Sequence, residues 1–275
     1  MILPSFKTTW SAEGSIKPRM QILEVRDKQD AKSVDPLAQI IYEREEVLKY
    51  DQDGVLEGAQ LTISYERLTH RASKDAAHRN PFMASYTRRT NTVSLTSGSN
   101  AKGLVALDFS ELKGQRIGTF FFNEIVQWVK QWPDAQVNSI ELLSGQATKS
   151  NKARRNRFYE RFNIVFDYKD PEHEEGLSRP MLARDLVNVE TWKQNIQEVD
   201  VMAYLGALAH KADHACAELA HRQRAADHLI YSIRRIESKP LRWALSQWAS
   251  KIAAWSVPLL VAGMVGLGIW KAFFS

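Results

Sequence analysis

Two glycines, Gly114 and Gly118, close a short loop, Ser110 to Gly118 (SELKGQRIG), between an apolar run, Gly103 to Phe109 (GLVALDF), and an apolar-faced segment, Thr119 to Trp132 (TFFFNEIVQWVKQW). Strand, glycine loop and helix in that order can receive a phosphate, because the first-turn N–H groups of a helix have no acceptor of their own. The same glycines also fit a plain turn and a close helix contact. Further along, Lys149 to Arg161 holds six basic residues and one acid, an excess equal to the formal +5 of the whole chain. Clustered Lys and Arg pair with phosphate oxygens, or simply form a solvated face. His210, His214, His221 and His228 fall on one side of a helical wheel. An i, i+4 pair such as His210 and His214 can bind a metal, but the four are spread too widely for a compact ligand set, and the expectation is a solvated stripe with no metal. Cys216 is the single cysteine, which excludes an internal disulfide and a four-cysteine zinc site.

The elements that would position these residues follow from periodicity. Extended segments are expected around Met20 to Val25, Leu61 to Tyr65, Thr92 to Thr96 and Leu104 to Phe109, and a helix around Pro36 to Tyr50. His70 to Pro81 reads as an exposed polar connection. After Pro133 come a strand at Val137 to Leu143, a basic helix at Asn151 to Phe162 and a strand at Ile164 to Tyr168. The order is β, phosphate loop, α, β, basic α, β, and the fold class is α/β (α+β).

Over Gly103 to Tyr168 this order resembles the GNAT superfamily, enzymes that transfer an acyl group from coenzyme A to an amine. The family's loop pattern, Arg or Gln, two variable residues, Gly, one variable residue, then Gly or Ala, falls on Lys113-Gly114-Gln115-Arg116-Ile117-Gly118, with Lys first and Arg116 in a glycine position. A later Tyr-Glu-Lys-Leu-Gly-Phe type pattern falls on Tyr159-Glu160-Arg161-Phe162-Asn163-Ile164, with Asn in place of Gly. Asn also enters left-handed backbone conformations. The resemblance implies a GNAT-like central mixed sheet with flanking helices, and acetyl-CoA or a longer acyl-CoA as co-substrate. It implies that the amides from Gly114 to Thr119, hence Lys113, Gly114, Gln115, Arg116, Ile117, Gly118 and Thr119, hold the pyrophosphate, and that Lys152 and Arg155 meet the 3'-phosphate. The pantetheine would lie between two splayed strands. Tyr159 would protonate the departing thiolate, and Asp108 and Glu141 are the candidate bases on the flanking strands.

Composition places the chain among globular proteins: 275 residues, 44% hydrophobic and 25% charged. The mean hydropathy of −0.37 hides Ile252 to Trp270, a run without a charge that is long enough to span a bilayer core of ~30 Å. Arg234, Arg235, Lys239, Arg242 and Lys251 precede the run and Lys271 alone follows it, so the N-terminal bulk is expected on the cytoplasmic side of a single-pass C-terminal anchor. The N-terminus has no secretory pattern.

Upstream of the run, spacing of alternately four and three residues picks out Val201, Leu205, Leu208, Ala212, Ala215, Leu219, Arg222, Ala226, Leu229, Ile233 and Ile236, a heptad-type seam imperfect at Arg222, whose three central alanines make it a poor isolated dimer and equally suit packing on the catalytic domain or a small helical hairpin. The expected division is therefore an acyltransferase-like domain over 1–170, a linker over 171–190, a long amphipathic helix over 191–238, a juxtamembrane segment over 239–251 and a transmembrane helix over 252–274. Partners expected are acyl-CoA, a lipid bilayer and a second copy through the C-terminal helices. The alternative is a catalytically silent, membrane-tethered interaction protein whose basic helix binds nucleic acid or anionic lipid, with nucleic acid the less favoured partner because only one helix is basic.

Overall fold

The computed structural model describes residues 15–33, 35–68, 81–97, 112–147, 151–238, 241, 244–245 and 247–250. The chain divides into two compact units, residues 1–205 and 206–275. The first is a mixed α+β unit built on a large mixed sheet. Its strands are β1 (Ser15–Val25), β2 (Ala38–Tyr50), β3 (Leu56–Arg67), β4 (Phe82–Thr87), β5 (Thr92–Ser94), β6 (Gln136–Val137) and β10 (Ile196–Asp200), in the order β10-β1-β2-β3-β4-β5-β6. All neighbours are antiparallel except β5 and β6, which run parallel. A smaller sheet has the order β7-β9-β8, from β7 (Glu141–Leu142), β8 (Phe166–Tyr168) and β9 (Gly176–Ser178).

The segment from Pro36 to Tyr50 is a strand, not the expected helix. Ala38, Ile40 and Tyr42 alternate at period two and are buried on the face shared with Leu23 and Val25 of β1 and with Ile63 and Tyr65 of β3. The run Glu43 to Glu46 imitates a helical polar face, but β2 is paired along both edges over most of its length, and that pairing outweighs helix propensity. The 191–200 part of the expected long helix is likewise different. Thr191–Gln194 makes one tight turn, and Ile196–Asp200 is β10, in register with Gln21 to Val25 at the sheet edge. The helix proper, α3, runs Val201–Ser238, and Asp200 caps it by accepting from the N–H groups of Met202 and Ala203.

Helix α1 (Ile117–Val129) fills the space over the sheet. Its three consecutive phenylalanines point in different directions and all are fully buried. Phe121 stacks on Tyr65 at 5.0 Å between centroids and meets Phe82, Phe120 meets Tyr42 and Trp192 edge-on, and Phe122 turns the other way onto Phe158, Tyr159 and Phe162. A helix buried on more than one side needs apolar residues on more than its core stripe, which explains the run. Each such ring contributes on the order of 1.5–3 kcal/mol.

Helix α2 (Lys152–Glu160) packs through Phe158 and Tyr159, and ends at Asn163, whose φ of 66° is the left-handed turn that its residue type allows. Residues 171–190, expected as a linker, contain β9 and pack against the core through Ala183, Leu186 and Val189. Their polar composition concealed this. Asp170 accepts from the N–H groups of Glu174 and Glu175, folding the acidic stretch into a loop that returns β9 between β7 and β8. The candidate span over residues 252–274 lies outside the described residues. Among the described residues no helix is long and apolar enough to cross a membrane.

Candidate functional site

The chain changes sheets after β6, the last strand in the order of the large sheet. β5 and β6 pair in parallel from Thr92 and Gln136, with α1 in the connection between them, and the Asn138 N–H still donates to the Val93 carbonyl at 2.8 Å. The chain then turns away. Ser178 donates its N–H to the Ile140 carbonyl and accepts from the Ile140 N–H through its Oγ, so the same strand continues as β7 in the smaller sheet. Beyond Asn138 the backbone of β6 passes into the smaller sheet while β5 ends at Ser94, and we refer to this break between β5 and β7 as the V. The strand expected at Gly103 to Phe109, with Asp108, lies outside the described residues, and β5 is the described strand that forms this side of the V.

The loop before α1 contains two left-handed residues, and its Gln115 N–H donates to the Leu112 carbonyl at 3.2 Å. Gly114 has a φ of 87° and Arg116, the residue before the helix, a φ of 64°. Left-handed residues interleaved with right-handed ones turn successive N–H groups inward. The first-turn amides of Ile117, Gly118 and Thr119 have no intrahelical acceptor. Lys113 and Gly114 are exposed, and Thr119 is buried.

Gln115 and Arg116, by contrast, point their side chains elsewhere. Gln115 accepts from the Lys28 N–H at 2.9 Å through Oε1 and donates to Asp27 from Nε2. Arg116 donates from Nη1 to the Thr191 carbonyl at 2.8 Å and to Asn195 Oδ1 at 3.2 Å. Asn195, which is buried, completes this junction by donating from Nδ2 to the carbonyls of Arg26 and Gln115, both at 3.1 Å. The Arg116 side chain therefore leaves the glycine position of the loop instead of covering it. Asn195 was invisible in the sequence, where it reads as one polar residue in a polar stretch.

The basic helix is divided in its use. Arg155 donates to the carbonyls of Leu143, His173 and Glu174, and Asn156 also donates to the His173 carbonyl, so both hold the acidic loop onto α2. Lys152 pairs with Glu172 at 3.2 Å and Glu174 at 3.6 Å. Arg154, Arg157 and Arg161 remain exposed. Glu141 is half-buried beside Lys169 at 3.6 Å, on the strand that leaves the V.

Tyr159 is buried among Phe122, Phe158 and Phe166. Burial pushes its phenol up to about 12, with Arg155 pulling weakly the other way. The hydroxyl is protonated across the neutral range, as an ordinary phenol is, and burial makes it the weaker acid. The structure brings Tyr159 against Phe122 of α1, one turn after Gly118, and so joins the two sequence patterns through a single helix.

A second polar cluster escaped the sequence. On the α1 side of the sheet, Tyr42 donates to Glu198 at 2.5 Å and lies against Gln21, Arg44 pairs with Glu46 and lies 3.8 Å from Glu124, and Trp128 Nε1 donates to Glu46 at 3.0 Å. Burial raises the Glu124 carboxyl above its usual range; Arg44 opposes that and the Glu198 charge adds to it. Burial also raises the Tyr42 phenol, reinforced by its bond to Glu198 and the charge there. Only pairing of β2 with its neighbours reveals this set, because the sequence pattern of the segment suggests a helix. The exposed histidines of α3 form no compact set, and among the described residues no group of three or more His, Cys, Asp or Glu side chains could hold a metal ion.

Comparison with protein-family profiles, with curated proteins and with solved structures returned no match.

Proposed function

We propose that the first unit is a GNAT-like acyl-CoA-dependent acyltransferase in which an amine attacks the thioester directly. The observation that carries this reading is the V between β5 and β7, with the left-handed loop and the start of α1 in the connection across it. Diverging strand edges offer N–H and C=O groups to an extended, amide-bearing chain, and pantetheine is such a chain. The loop amides between Gly114 and Thr119 receive the pyrophosphate, except that of Gln115, whose N–H donates to the Leu112 carbonyl at 3.2 Å. The turned-away Arg116 side chain supports that role, since it leaves room for the backbone to approach. By the resemblance, Tyr159 supplies the proton to the departing thiolate, and Glu141 and Asp108 are the bases carried over from it. Lys152 and Arg155 meet the 3'-phosphate less directly, since both are engaged with the 172–174 loop. The exposed Arg154, Arg157 and Arg161 supply the remaining positive charge.

Residues 252–274 tether this unit to a bilayer with the enzyme on the cytoplasmic side, a reading that rests on the uncharged run and the basic residues before it. A second reading draws on the engagement of Lys152 and Arg155: a silent fold whose exposed arginines on α2 bind anionic lipid. Thiol release from acyl-CoA by the full chain in detergent, with a panel of primary amines as acceptors, separates the two. The enzyme releases thiol only with an acceptor, and Tyr159→Phe lowers the rate ~10²-fold with acyl-CoA affinity unchanged. No release with any amine, together with salt-sensitive retention on anionic vesicles, selects the silent fold.

A further inference from the structure

The acidic loop between β8 and β9 takes its shape from within. The Lys169 N–H donates to the Glu175 carbonyl at 3.0 Å, and the Asp170 carboxylate accepts from the N–H of Glu175 at 2.7 Å and from that of Glu174 at 3.0 Å. His173, left-handed with a φ of 58°, lays its ring flat on Tyr168 with 4.1 Å between centroids. Four acids lie between residues 170 and 175. Asp170 is used to close the turn, and Glu172 and Glu174 are turned to Lys152 of α2.

On the α2 side the donors are of two kinds. Arg155 and Asn156 donate to the main-chain carbonyls of His173 and Glu174, contacts that do not depend on which side chains the loop carries. Lys152 meets side chains instead, the carboxylate of Glu172 at 3.2 Å and that of Glu174 at 3.6 Å. Glu172 is 78% exposed, and a pair so open to water is loosely held. An ammonium facing anionic oxygens, with a guanidinium three residues along the same helix, is also the arrangement that a phosphate monoester takes. We propose that Glu172 and Glu174 hold the place of a phosphate on Lys152, so that the loop is an internal competitor for the 3'-phosphate of the acyl donor. This deepens the acyl-CoA reading and rests on it. A phosphate monoester carries about −1.5 to −2 at pH 7 against −1 for a carboxylate, and so takes Lys152 from its two exposed partners. The bonds from Arg155 and Asn156 keep the loop backbone attached meanwhile. A donor that lacks the 3'-phosphate leaves Lys152 with the loop, which thereby favours the phosphorylated form.

Calorimetry of the full chain in detergent, with coenzyme A and with dephospho-coenzyme A as probes, tests the competition. Glu172→Gln with Glu174→Gln leaves the loop backbone and its bonds to Asp170 in place. This double variant should bind coenzyme A roughly three- to tenfold more tightly than the native chain does, with its affinity for dephospho-coenzyme A unchanged. Lys152→Met should bind coenzyme A more weakly, and adding the two glutamines to it should change nothing further. Equal affinity of the native chain and the double variant for coenzyme A overturns the proposal and leaves the acyl-CoA reading standing. A gain shared equally by dephospho-coenzyme A also overturns it, since that is the long-range effect of removing two charges. Binding of neither compound by the native chain or the variants defeats the acyl-CoA reading itself, and the competitor with it.

Discussion

Arg116 Nη1 lies 2.8 Å from the Thr191 carbonyl, so the residue that occupies a glycine position in the loop pattern also ties the start of α1 to the turn before β10. Its backbone is left-handed, a conformation that costs a non-glycine residue ~1–2 kcal/mol. Arg116→Gly removes the hydrogen bonds and relieves the strain, while Arg116→Ala removes the bonds and keeps it. Chemical denaturation should therefore rank the native chain above Arg116→Gly, and Arg116→Gly above Arg116→Ala by about 1 kcal/mol. Equal midpoints for the two variants would show that the strain is not felt.

The fold was legible where local pattern and tertiary demand agree. The helix around Thr119 to Trp132, the short helix of Asn151 to Phe162 and the strand at Met20 to Val25 occupy the expected places. The exception was β2. Its buried Glu43, Glu45 and Glu46 are the residue types least expected inside, and only pairing with β1 and β3 makes a strand of them. β9 and β10 were hidden for a related reason: both are short, and their partners are distant in sequence. At the site, the residues that make chemistry by type, Tyr159 and the loop glycines, could be found. Asn195 and Asn156 could not, since their role is to satisfy carbonyls that only the folded chain brings together.

Glu124 offers a test by pH. Its folded carboxyl titrates above the ordinary value, so its contribution favours the fold at acid pH and is lost as pH rises through the folded value. Glu124→Gln should melt higher than the native chain at pH 7, and the difference should close as pH falls toward 4. A difference that widens on acidification would mean that attraction to Arg44 outweighs burial.

Tyr159 gives the alkaline counterpart. With the phenol pushed up to about 12 in the fold and near 10 when unfolded, stability is constant below pH 10 and falls from there to about 12, by on the order of 2–3 kcal/mol. Tyr159→Phe should not show that part of the decline. Parallel urea titrations of the two proteins at pH 8 and pH 11 read it directly, and identical losses would place the ionisation elsewhere.

Gly176 fixes the smaller sheet. A Cβ there would sit 2.9 Å from the Asp167 carbonyl oxygen, a backbone atom that cannot swing aside. Gly176→Ala should cost ~1–3 kcal/mol and loosen the pairing of β8 with β9. Amide hydrogen exchange at Asp167, Tyr168 and Ser178 is the readout, and native-like protection there would be inconsistent with this packing.

Arg155 joins α2 to the acidic loop through the His173 and Glu174 carbonyls and to the end of β7 through the Leu143 carbonyl. Arg155→Ala leaves those carbonyls to water or to nothing, and the expected loss is about 1–3 kcal/mol. Under the acyltransferase reading it also weakens acyl-CoA binding, more for the 3'-phosphorylated cofactor than for the dephospho form. Equal weakening for both forms would assign Arg155 to the loop alone.

The central claim is that the V between β5 and β7, with the loop from Lys113 to Gly118, holds an acyl-CoA. Isothermal calorimetry of the full chain in detergent with acetyl-CoA and with a long-chain acyl-CoA tests it most directly. The account predicts saturable one-to-one binding, competed by free coenzyme A. An absence of binding heat for every acyl-CoA, from a chain whose far-UV circular dichroism shows it folded, would contradict it.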